Sequence, residues 1–329
     1  MAVLLSTASA HQAARAVEPT FTTMLAQYVF QAITALLPIA AAQTCWRDTV
    51  CTPRSASFNG PWDSYMHSPA SRTISPVNIL DSDHNILSSY PGPAVLNSNG
   101  SLLIFDFGRE VGGIITVNYD ATGRGSLGLA FSEARNWTGM SSDGSDGTLH
   151  PGGDGALYTT ISDNSGNYTV PDVNLRGGFR YLSVFTTTNS SFDVDVDITS
   201  VTLEIAFQPT WSDLRAYGGY FYSNDELINR IWYAGAYTLQ TNAVPPNTGR
   251  EYPLLDSGWK NDAYLGTSGD SIFVDGSKRD RATWAGDLAI ALPSAFVSTG
   301  DFDSAKNALQ LQYDLQVSLP VSNESKSKH

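Results

Sequence analysis

The sequence has little charge, and positive charge is the scarcer sign. Only 16% of its 329 residues are charged, and 32 acidic residues against 19 basic ones give a net charge of −13. Nucleic acids and anionic membrane surfaces bind through clustered Lys and Arg. The composition therefore argues against both as partners, and it favours a protein that is soluble in acidic surroundings.

Histidine and cysteine are also scarce, with five and two residues. The sequence contains no G-x-S-x-G, no P-loop and no zinc-ligand spacing. His84 and His150 stand alone, so we expect no metal site, no catalytic triad and no cofactor. Cys45 and Cys51 form one close pair, which favours a small disulfide-closed loop in an exported protein. A two-cysteine metal site is the weaker alternative, because no histidine accompanies the pair.

The N-terminal region lacks the pattern of a folded element and is typical of a targeting segment. Residues 1–23 are interpreted as an upstream extension, with Met24 as the true start. Residues 24–43 contain a short apolar run that ends in Ala-Ala-Ala, as before a signal-peptide cleavage site. The run is short for a membrane span, and an N-terminal membrane anchor is the alternative. We therefore expect a secreted, extracellular protein without membrane contact after cleavage.

Five N-glycosylation sequons agree with export, although each alone is a weak signal. They begin at Asn99, Asn136, Asn167, Asn189 and Asn323.

Residues 44–215 alternate short apolar runs with turn residues. The clearest runs cover 101–107, 113–119, 126–131, 181–186 and 198–205. Strands at this spacing favour an antiparallel β-sandwich, jelly-roll-like in type. The Gly/Ser/Asp-rich stretch 139–155 predicts a long loop. Asp143, Asp146 and Asp154 are a weak calcium-site candidate there, because their spacing matches no EF-hand.

The pattern changes to helical after Trp211. Ser223, with Glu226 three residues later, is typical of a capping box that begins a helix. Apolar or small residues then recur at helical spacing, namely Leu227, Ile231, Ala234 and Thr238.

Two further helices are predicted, over residues 283–297 and 304–317, with Asp301 or Ser304 at the start of the last one. Residues 216–320 are therefore assigned to a second domain that is helical. A polar tail follows at 321–329.

The densest charge lies in residues 275–287, Asp-Gly-Ser-Lys-Arg-Asp-Arg-Ala-Thr-Trp-Ala-Gly-Asp. Thirteen residues hold three carboxylates, three cationic side chains and a Trp. Carboxylate pairs perform the chemistry of sugar-cleaving enzymes, so the segment is a candidate sugar site. The alternative is a buried ion-pair cluster that only seats the following helix.

These thirteen residues resemble the signature of the family 78 glycoside hydrolases, the α-L-rhamnosidases, in its fungal form. Residues 224–239 are similar to the first helix of that family's (α/α)₆ barrel, and residues 105–113 to a strand and turn of its β-sandwich. Residues 45–51 and 60–63 also resemble secreted fungal members. The resemblance implies a β-sandwich followed by the first helices of a six-hairpin barrel.

The resemblance also implies hydrolysis, with inversion, of terminal α-L-rhamnosyl bonds in a rhamnosylated small molecule or oligosaccharide. One carboxylic acid protonates the leaving oxygen and a second carboxylate activates water. Many bacterial family members carry the acid where this chain has Arg281. The acid role therefore falls to Asp280, with Asp275 as the alternative.

The remaining site residues follow from the same resemblance. Asp275 and Asp287 accept hydrogen bonds from sugar hydroxyls, Trp284 offers a ring face to the sugar, and Arg279 orients the carboxylates through charge-assisted bonds. The family's general base lies beyond the last residue of this chain. We therefore expect a C-terminally truncated rhamnosidase that is inactive alone. A non-catalytic carbohydrate-binding module or pseudoenzyme is the alternative.

Overall fold

The computed structural model describes residues 45–54, 57–145, 153–162, 164–189, 194–250, 264–278 and 281–318. The predicted upstream extension (1–23), signal peptide (24–43) and polar tail (321–329) lie outside the described residues and stay predictions, as does Asn323. Among the helices that are described, none combines the length and apolar character of a membrane span.

The first two thirds of the described chain form antiparallel strands. Strands β1–β12 span, in order, Thr73–Ile74, Asn78–Leu80, Ile86–Ser89, Val95–Leu96, Leu102–Gly123, Gly125–Ser132, Leu157–Ile161, Asn164–Thr169, Arg176–Thr187, Val194–Ile205, Ala243–Val244 and Ile272–Phe273. β1 to β10 form one sheet whose main strand order is β1-β10-β5-β9-β6-β7. β2, β3, β4 and β8 pair beside this path, and β11 pairs with β12 in a separate sheet. The predicted antiparallel β architecture is confirmed, while its jelly-roll-like sandwich form stays a prediction.

The 22-residue strand β5 connects the network, because it changes neighbours along its length. Its first half pairs with β2 and β9, and its second half with β8 and β10. The register shifts between Asp106 and Gly113. A Cβ on Gly113 would lie 1.9 Å from the Glu204 carbonyl oxygen, so only glycine fits this change of partner. The two runs 101–107 and 113–119 are thus halves of one strand.

Large side chains fill the core of the sheet. Phe179 packs edge-on against Phe107 and Phe131, with ring centroids 5.7 and 5.0 Å apart. All three rings are almost completely buried. Alternation along β10 places Val196 and Val201 in the same core. Burial of aromatic and branched side chains is the main stabilisation of this region.

The acidic residues of the loop 139–155 neutralise a buried cation of the protein itself. Arg176, at the start of β9, forms ion pairs with Asp143 and, at 2.5 Å, with Asp154. Asp146 lies outside the described residues. In the part of the chain that the structure describes, no cluster of three or more His, Cys, Asp or Glu residues is placed to hold a metal ion. Asp143 and Asp154 therefore seat the loop against the sheet.

Three helices follow the sheet: α1 (Glu226–Thr241), α2 (Ala285–Val297) and α3 (Phe302–Ser318). The capping prediction for α1 was wrong, because the Asp225 side chain accepts from the amides of Leu227 and Ile228. Asp301 precedes α3 and its carboxylate accepts from the Ser304 amide at 3.0 Å. The helices are thus present near their predicted places, while the six-hairpin barrel stays a prediction.

The buried face of α1 is not the apolar stripe of the sequence. Leu227 and Ile231 point to solvent, and the face toward the sheet carries polar side chains. Those groups have partners: Tyr237 donates to the Glu110 carbonyl at 2.7 Å, and Gln240 to the Leu214 carbonyl at 2.6 Å. Satisfied polar groups are tolerated in a core, so this face is buried despite its composition.

A second, smaller core lies under the helices. It consists of Ala243, Val244, Leu265, Ile272, Phe273, Val274, Leu288, Leu292, Ala295, Ala305 and Ala308. α1 packs beside α2, and α2 beside α3. Small residues on α3 allow close approach to β12. Residues 43–329 belong to one compact unit by their internal contacts. This unit is not divided at residue 215, and the predicted domain boundary there stays a prediction.

The segment before the first strand is tied to the rest of the unit. Cys45 and Cys51 form a disulfide with their Cα atoms 5.7 Å apart. The Arg54 guanidinium lies over the Trp211 ring and donates to the Thr299 carbonyl at 2.7 Å. Buried Arg72 donates to four carbonyls between Ile205, the last residue of β10, and Trp211, and burial lowers the pKa of Arg72 to about 10.

Candidate functional site

The predicted site segment forms a loop between β12 and α2. The Asp275 amide donates to the Ala282 carbonyl at 2.9 Å, and the Ala282 amide donates to Asp275 Oδ1 at 3.1 Å. Asn242 donates to the Asp275 carbonyl at 3.4 Å. Both the main chain and the carboxylate of Asp275 therefore close the loop at its base. Arg279 and Asp280 lie outside the described residues, so their roles as orienting cation and acid stay predictions.

Arg281 holds this loop from inside the protein. Its guanidinium donates to the carbonyls of Ser277 (2.7 Å) and Thr248 (3.0 Å) and to Thr248 Oγ1 (2.8 Å). The residue is buried and has a φ of 44°. Burial, with a smaller effect of nearby Arg250, lowers the pKa of Arg281 to about 10. At the position where many bacterial relatives of the resembled family carry their acid, this chain thus has a buried structural cation.

Three of the predicted site residues line one groove between α1 and α2. This helical groove has a volume of about 660 Å³, and Asp275, Trp284 and Asp287 face it. Apolar side chains of both helices, such as Ile231 and Leu288, form its walls. Pockets of this size, mainly apolar with few polar groups, are typical of small-molecule sites.

α2 positions two of the three residues. Trp284 occupies its N-cap position and is 40% exposed, so part of the ring is accessible. Asp287 lies in the first turn of α2, where the helix dipole stabilises a negative charge. The groove thus combines an accessible aromatic ring with two carboxylates, a combination that can bind a sugar ring and its hydroxyls.

Two further groove residues were missed by the sequence analysis. Trp232 and Asn242 also line the helical groove. Trp232 lies inside the predicted helix. The apolar periodicity of that helix predicted the wrong face as the buried one, so Trp232 was not singled out. Asn242 directly follows α1 and is isolated in the sequence, so no pattern singles it out.

Glu110, from the middle of β5, contacts the same loop on its sheet side. It accepts a hydrogen bond from Ser277 Oγ at 2.8 Å. Burial raises the pKa of the Glu110 carboxyl, and the Ser277 bond opposes that shift. Glu110 belongs to the stretch 105–113 of the family resemblance, which did not single it out. It supports the loop and is not among the residues that line the helical groove.

The four described sequon asparagines are all exposed. Asn99 and Asn189 lie in turns or loops, Asn136 lies in a short 3₁₀ helix, and Asn167 lies on β8. Each position is accessible to a modifying enzyme, and modification itself stays a prediction.

Fold and groove together define a β-sheet protein with a helical region that carries a groove with two carboxylates and an accessible Trp ring. No protein-family profile matches the chain, and no curated protein matches it either.

Among solved structures, the chain is similar to a rhamnosidase from Klebsiella oxytoca with rhamnose bound, at 18% identity and a TM-score of 0.48, over 72% of this chain and 42% of that one. It is also similar to a GH78 family rhamnosidase of Bacillus sp. GL1, at 20% identity and a TM-score of 0.45, over 67% and 19% of the two chains. A third is the α-L-rhamnosidase from Dictyoglumus thermophilum, at 16% and 0.41, over 74% and 22%.

The chain thus spans less than half the length of each of these proteins. Identities of 20% or less and TM-scores below 0.5 do not establish membership of a family.

Proposed function

We propose that the chain belongs to a secreted glycoside hydrolase of the α-L-rhamnosidase type, which acts with inversion on terminal α-L-rhamnosyl bonds. One observation carries the proposal: Asp275, Trp284 and Asp287, chosen from sequence alone, line a single groove. The substrate class comes from the resemblance of residues 275–287.

The groove fits a neutral deoxysugar chemically. A ring C–H face packs on the accessible face of Trp284, whose π-system carries partial negative charge. Asp275 and Asp287 accept hydrogen bonds from hydroxyl groups. The apolar walls provided by α1 and α2 suit a sugar that carries a methyl group. Hydrolysis needs an acid and a base and no cofactor.

We further propose that this chain alone binds the sugar without turnover. One carboxylate oxygen of Asp275 already accepts the Ala282 amide within the loop, so it has a structural role there. A binding module or pseudoenzyme is the second candidate. Two observations favour it: the groove is open between two helices, and these helices carry exposed apolar side chains.

The test measures binding and turnover separately. L-rhamnose is titrated into the purified chain by calorimetry, and release of nitrophenol from an aryl α-L-rhamnoside is followed in parallel. We expect saturable binding that is lost in Trp284→Ala and Asp287→Asn, with circular dichroism unchanged. Turnover abolished by Asp280→Asn contradicts the expected inactivity. Absence of binding by a folded chain contradicts the assignment of the groove.

Export and glycosylation are tested on the same protein. Expression of the full chain in a eukaryotic secretory host is expected to give medium-borne protein whose gel mobility changes on treatment with an N-glycosidase. Retention of all of the protein inside the cells contradicts the proposed secretion.

A further inference from the structure

A second groove lies on the other side of the candidate loop. Its volume is about 620 Å³, and it is lined by Glu133, Trp137, Ser141, Asp143 and Lys278. We call it the loop groove. It shares no lining residue with the helical groove. Lys278 is only three positions after Asp275, so one short segment contributes a side chain to each groove.

Trp137 dominates the loop groove. Its side chain is 74% exposed. Among the large hydrophobic residues of the described sheet region, only Val50 is equally exposed. The exposed indole offers a flat apolar face on which a sugar ring can stack. The polar side chains that line the same groove stand beside this face.

The turn that carries Trp137 is braced. Trp137 ends a short 3₁₀ helix (Arg135–Trp137), and its amide donates to the Ala134 carbonyl at 3.0 Å. Thr138 Oγ1 donates to the Arg135 carbonyl at 3.0 Å and lies 2.7 Å from His84 Nε2. The ring is therefore presented by a backbone that has little freedom to lose when a ligand binds.

The polar groups of the groove are equally fixed. Lys278 Nζ lies 2.5 Å from Glu133 Oε2 and 3.3 Å from Asp143 Oδ2. The Glu133 amide donates to Asp143 Oδ2 at 3.0 Å, and Asp143 also pairs with the buried Arg176. The Lys278 and Asp143 side chains are only 15% and 19% exposed. Donors and acceptors thus stand beside an aromatic platform in one preorganised arrangement.

We propose that the loop groove binds a neutral saccharide, with one sugar ring on Trp137 and its hydroxyls on Glu133, Asp143 and Lys278. The Lys278 ammonium group is already paired with the carboxylates of Glu133 and Asp143. An acidic sugar would therefore find no cation free to pair with it, and the two carboxylates would repel it. Hydroxyl groups, which both donate and accept, match the mixed set. The site uses none of the residues that line the helical groove.

Two sources supply this chemistry: a free oligosaccharide, or a glycan attached to the chain itself. Asn136 immediately precedes Trp137 and begins a sequon. A glycan on this exposed Asn starts within one residue of the platform. The experiment therefore compares protein with and without N-glycans.

The first arm uses protein made in a host that adds no N-glycans. The probes are neutral tetrasaccharides of glucose, mannose and galactose, with trigalacturonate as the acidic comparison, titrated by calorimetry. We expect at least one neutral probe to bind with a Kd on the order of 0.1–1 mM. Trp137→Ala should weaken it at least tenfold, Trp137→Phe less, and the matched exposed aromatic variant Tyr313→Ala not at all. Circular dichroism verifies that each variant is folded.

Any of three results overturns the proposal. In the first, no neutral probe binds the folded protein at a concentration tenfold above the expected Kd range. In the second, Trp137→Ala binds the probe as tightly as the parent does, and in the third, trigalacturonate binds better than every neutral probe. Loss of L-rhamnose binding in Trp284→Ala reports on the helical groove only, so the two proposals fail separately.

The second arm uses glycosylated protein and its Asn136→Gln variant. If the chain's own glycan is the occupant, the neutral probe binds only to the variant. If a free saccharide is the occupant, it binds to both. Binding to neither, when the unglycosylated protein does bind, contradicts occupation by either source.

Discussion

The sheet and the helices bury their large side chains to very different extents. Phe107 and Phe179 in the sheet have almost no solvent contact, whereas Ile290 on α2 is 79% exposed and Leu227 on α1 is 65% exposed. The strands obtain partners on both sides from one another. The helices obtain partners on one side only. The difference shows that the strands, with one face of α1, enclose a complete core, while the helical region presents apolar faces that a further layer can cover.

The largest contrast is expected between two arginines. Arg176→Met removes a buried cation and leaves the Asp143 and Asp154 carboxylates close together, so we expect a loss of about 3–5 kcal/mol in the free energy of unfolding. Arg230→Met, at an exposed pair with Glu226 on α1, should cost less than about 1 kcal/mol. Urea unfolding followed by circular dichroism measures both. Equal effects contradict the comparison.

Core truncation gives the next contrast. Phe179→Ala removes a ring that contacts Phe107 and Phe131 and should cost about 3–5 kcal/mol. Ile290→Ala, at an exposed side chain that lines the helical groove, should change stability by less than about 0.5 kcal/mol. Thermal unfolding of the two variants at one protein concentration tests this. A large loss for Ile290→Ala indicates that its face is covered in solution, for example by a second copy of the chain.

Two glycines sharpen the contrast through the backbone. A Cβ on Gly177 in β9 would lie 1.7 Å from the Ser277 carbonyl oxygen, so Gly177→Ala must displace the candidate loop, at about 1–3 kcal/mol. A Cβ on Gly235 in α1 meets nothing within 4 Å. Gly235→Ala should therefore stabilise the helix by about 0.5–1 kcal/mol. Denaturant midpoints give the signs, and a stabilised Gly177→Ala contradicts the close approach.

The smallest effect concerns pH. Because burial raises the folded-state pKa of Glu110, the folded protein holds this proton more tightly than the unfolded chain. The contribution of Glu110 is fully present below its ordinary pKa of 4.5 and is lost as pH rises through the raised value. Glu110→Gln should flatten this decline in the free energy of unfolding. Parallel profiles for parent and Glu110→Gln refute the assignment.

The sequence predicted the strands and helices well because their signals are local. Period-2 runs predicted β6, β9 and β10, and turn residues predicted the irregular chain at 139–145 and 153–155. The continuity of β5 was not predicted, because two apolar runs separated by glycines are typical of two separate strands. Only the pairing with β9 and then β10 shows one continuous strand.

The site was predictable in its residue types and not in its geometry. Charge density singled out the segment 275–287, and the family resemblance selected Asp275, Trp284 and Asp287, which the fold brings to one groove. A buried ion-pair cluster was the alternative, but the pattern did not indicate that Arg281 is the buried cation. Its environment comes from Thr248, more than 30 residues away, and such contacts leave no trace in a local pattern. The face of α1 was misassigned because satisfied polar groups, such as Gln240, compete with apolar ones for burial.

The packing of α1 has a consequence for how the protein unfolds. Tyr233 and Tyr237 belong to the core of the sheet, while Leu239 packs on the core under α2 and α3. One helix therefore contributes to both cores, and neither core can be opened without disturbing it. Cooperativity is transmitted along such a shared element. In native-state hydrogen exchange, the amides of α1 are therefore expected to join the slowest-exchanging group of the sheet, while those on the outer turns of α3 exchange through smaller, local openings.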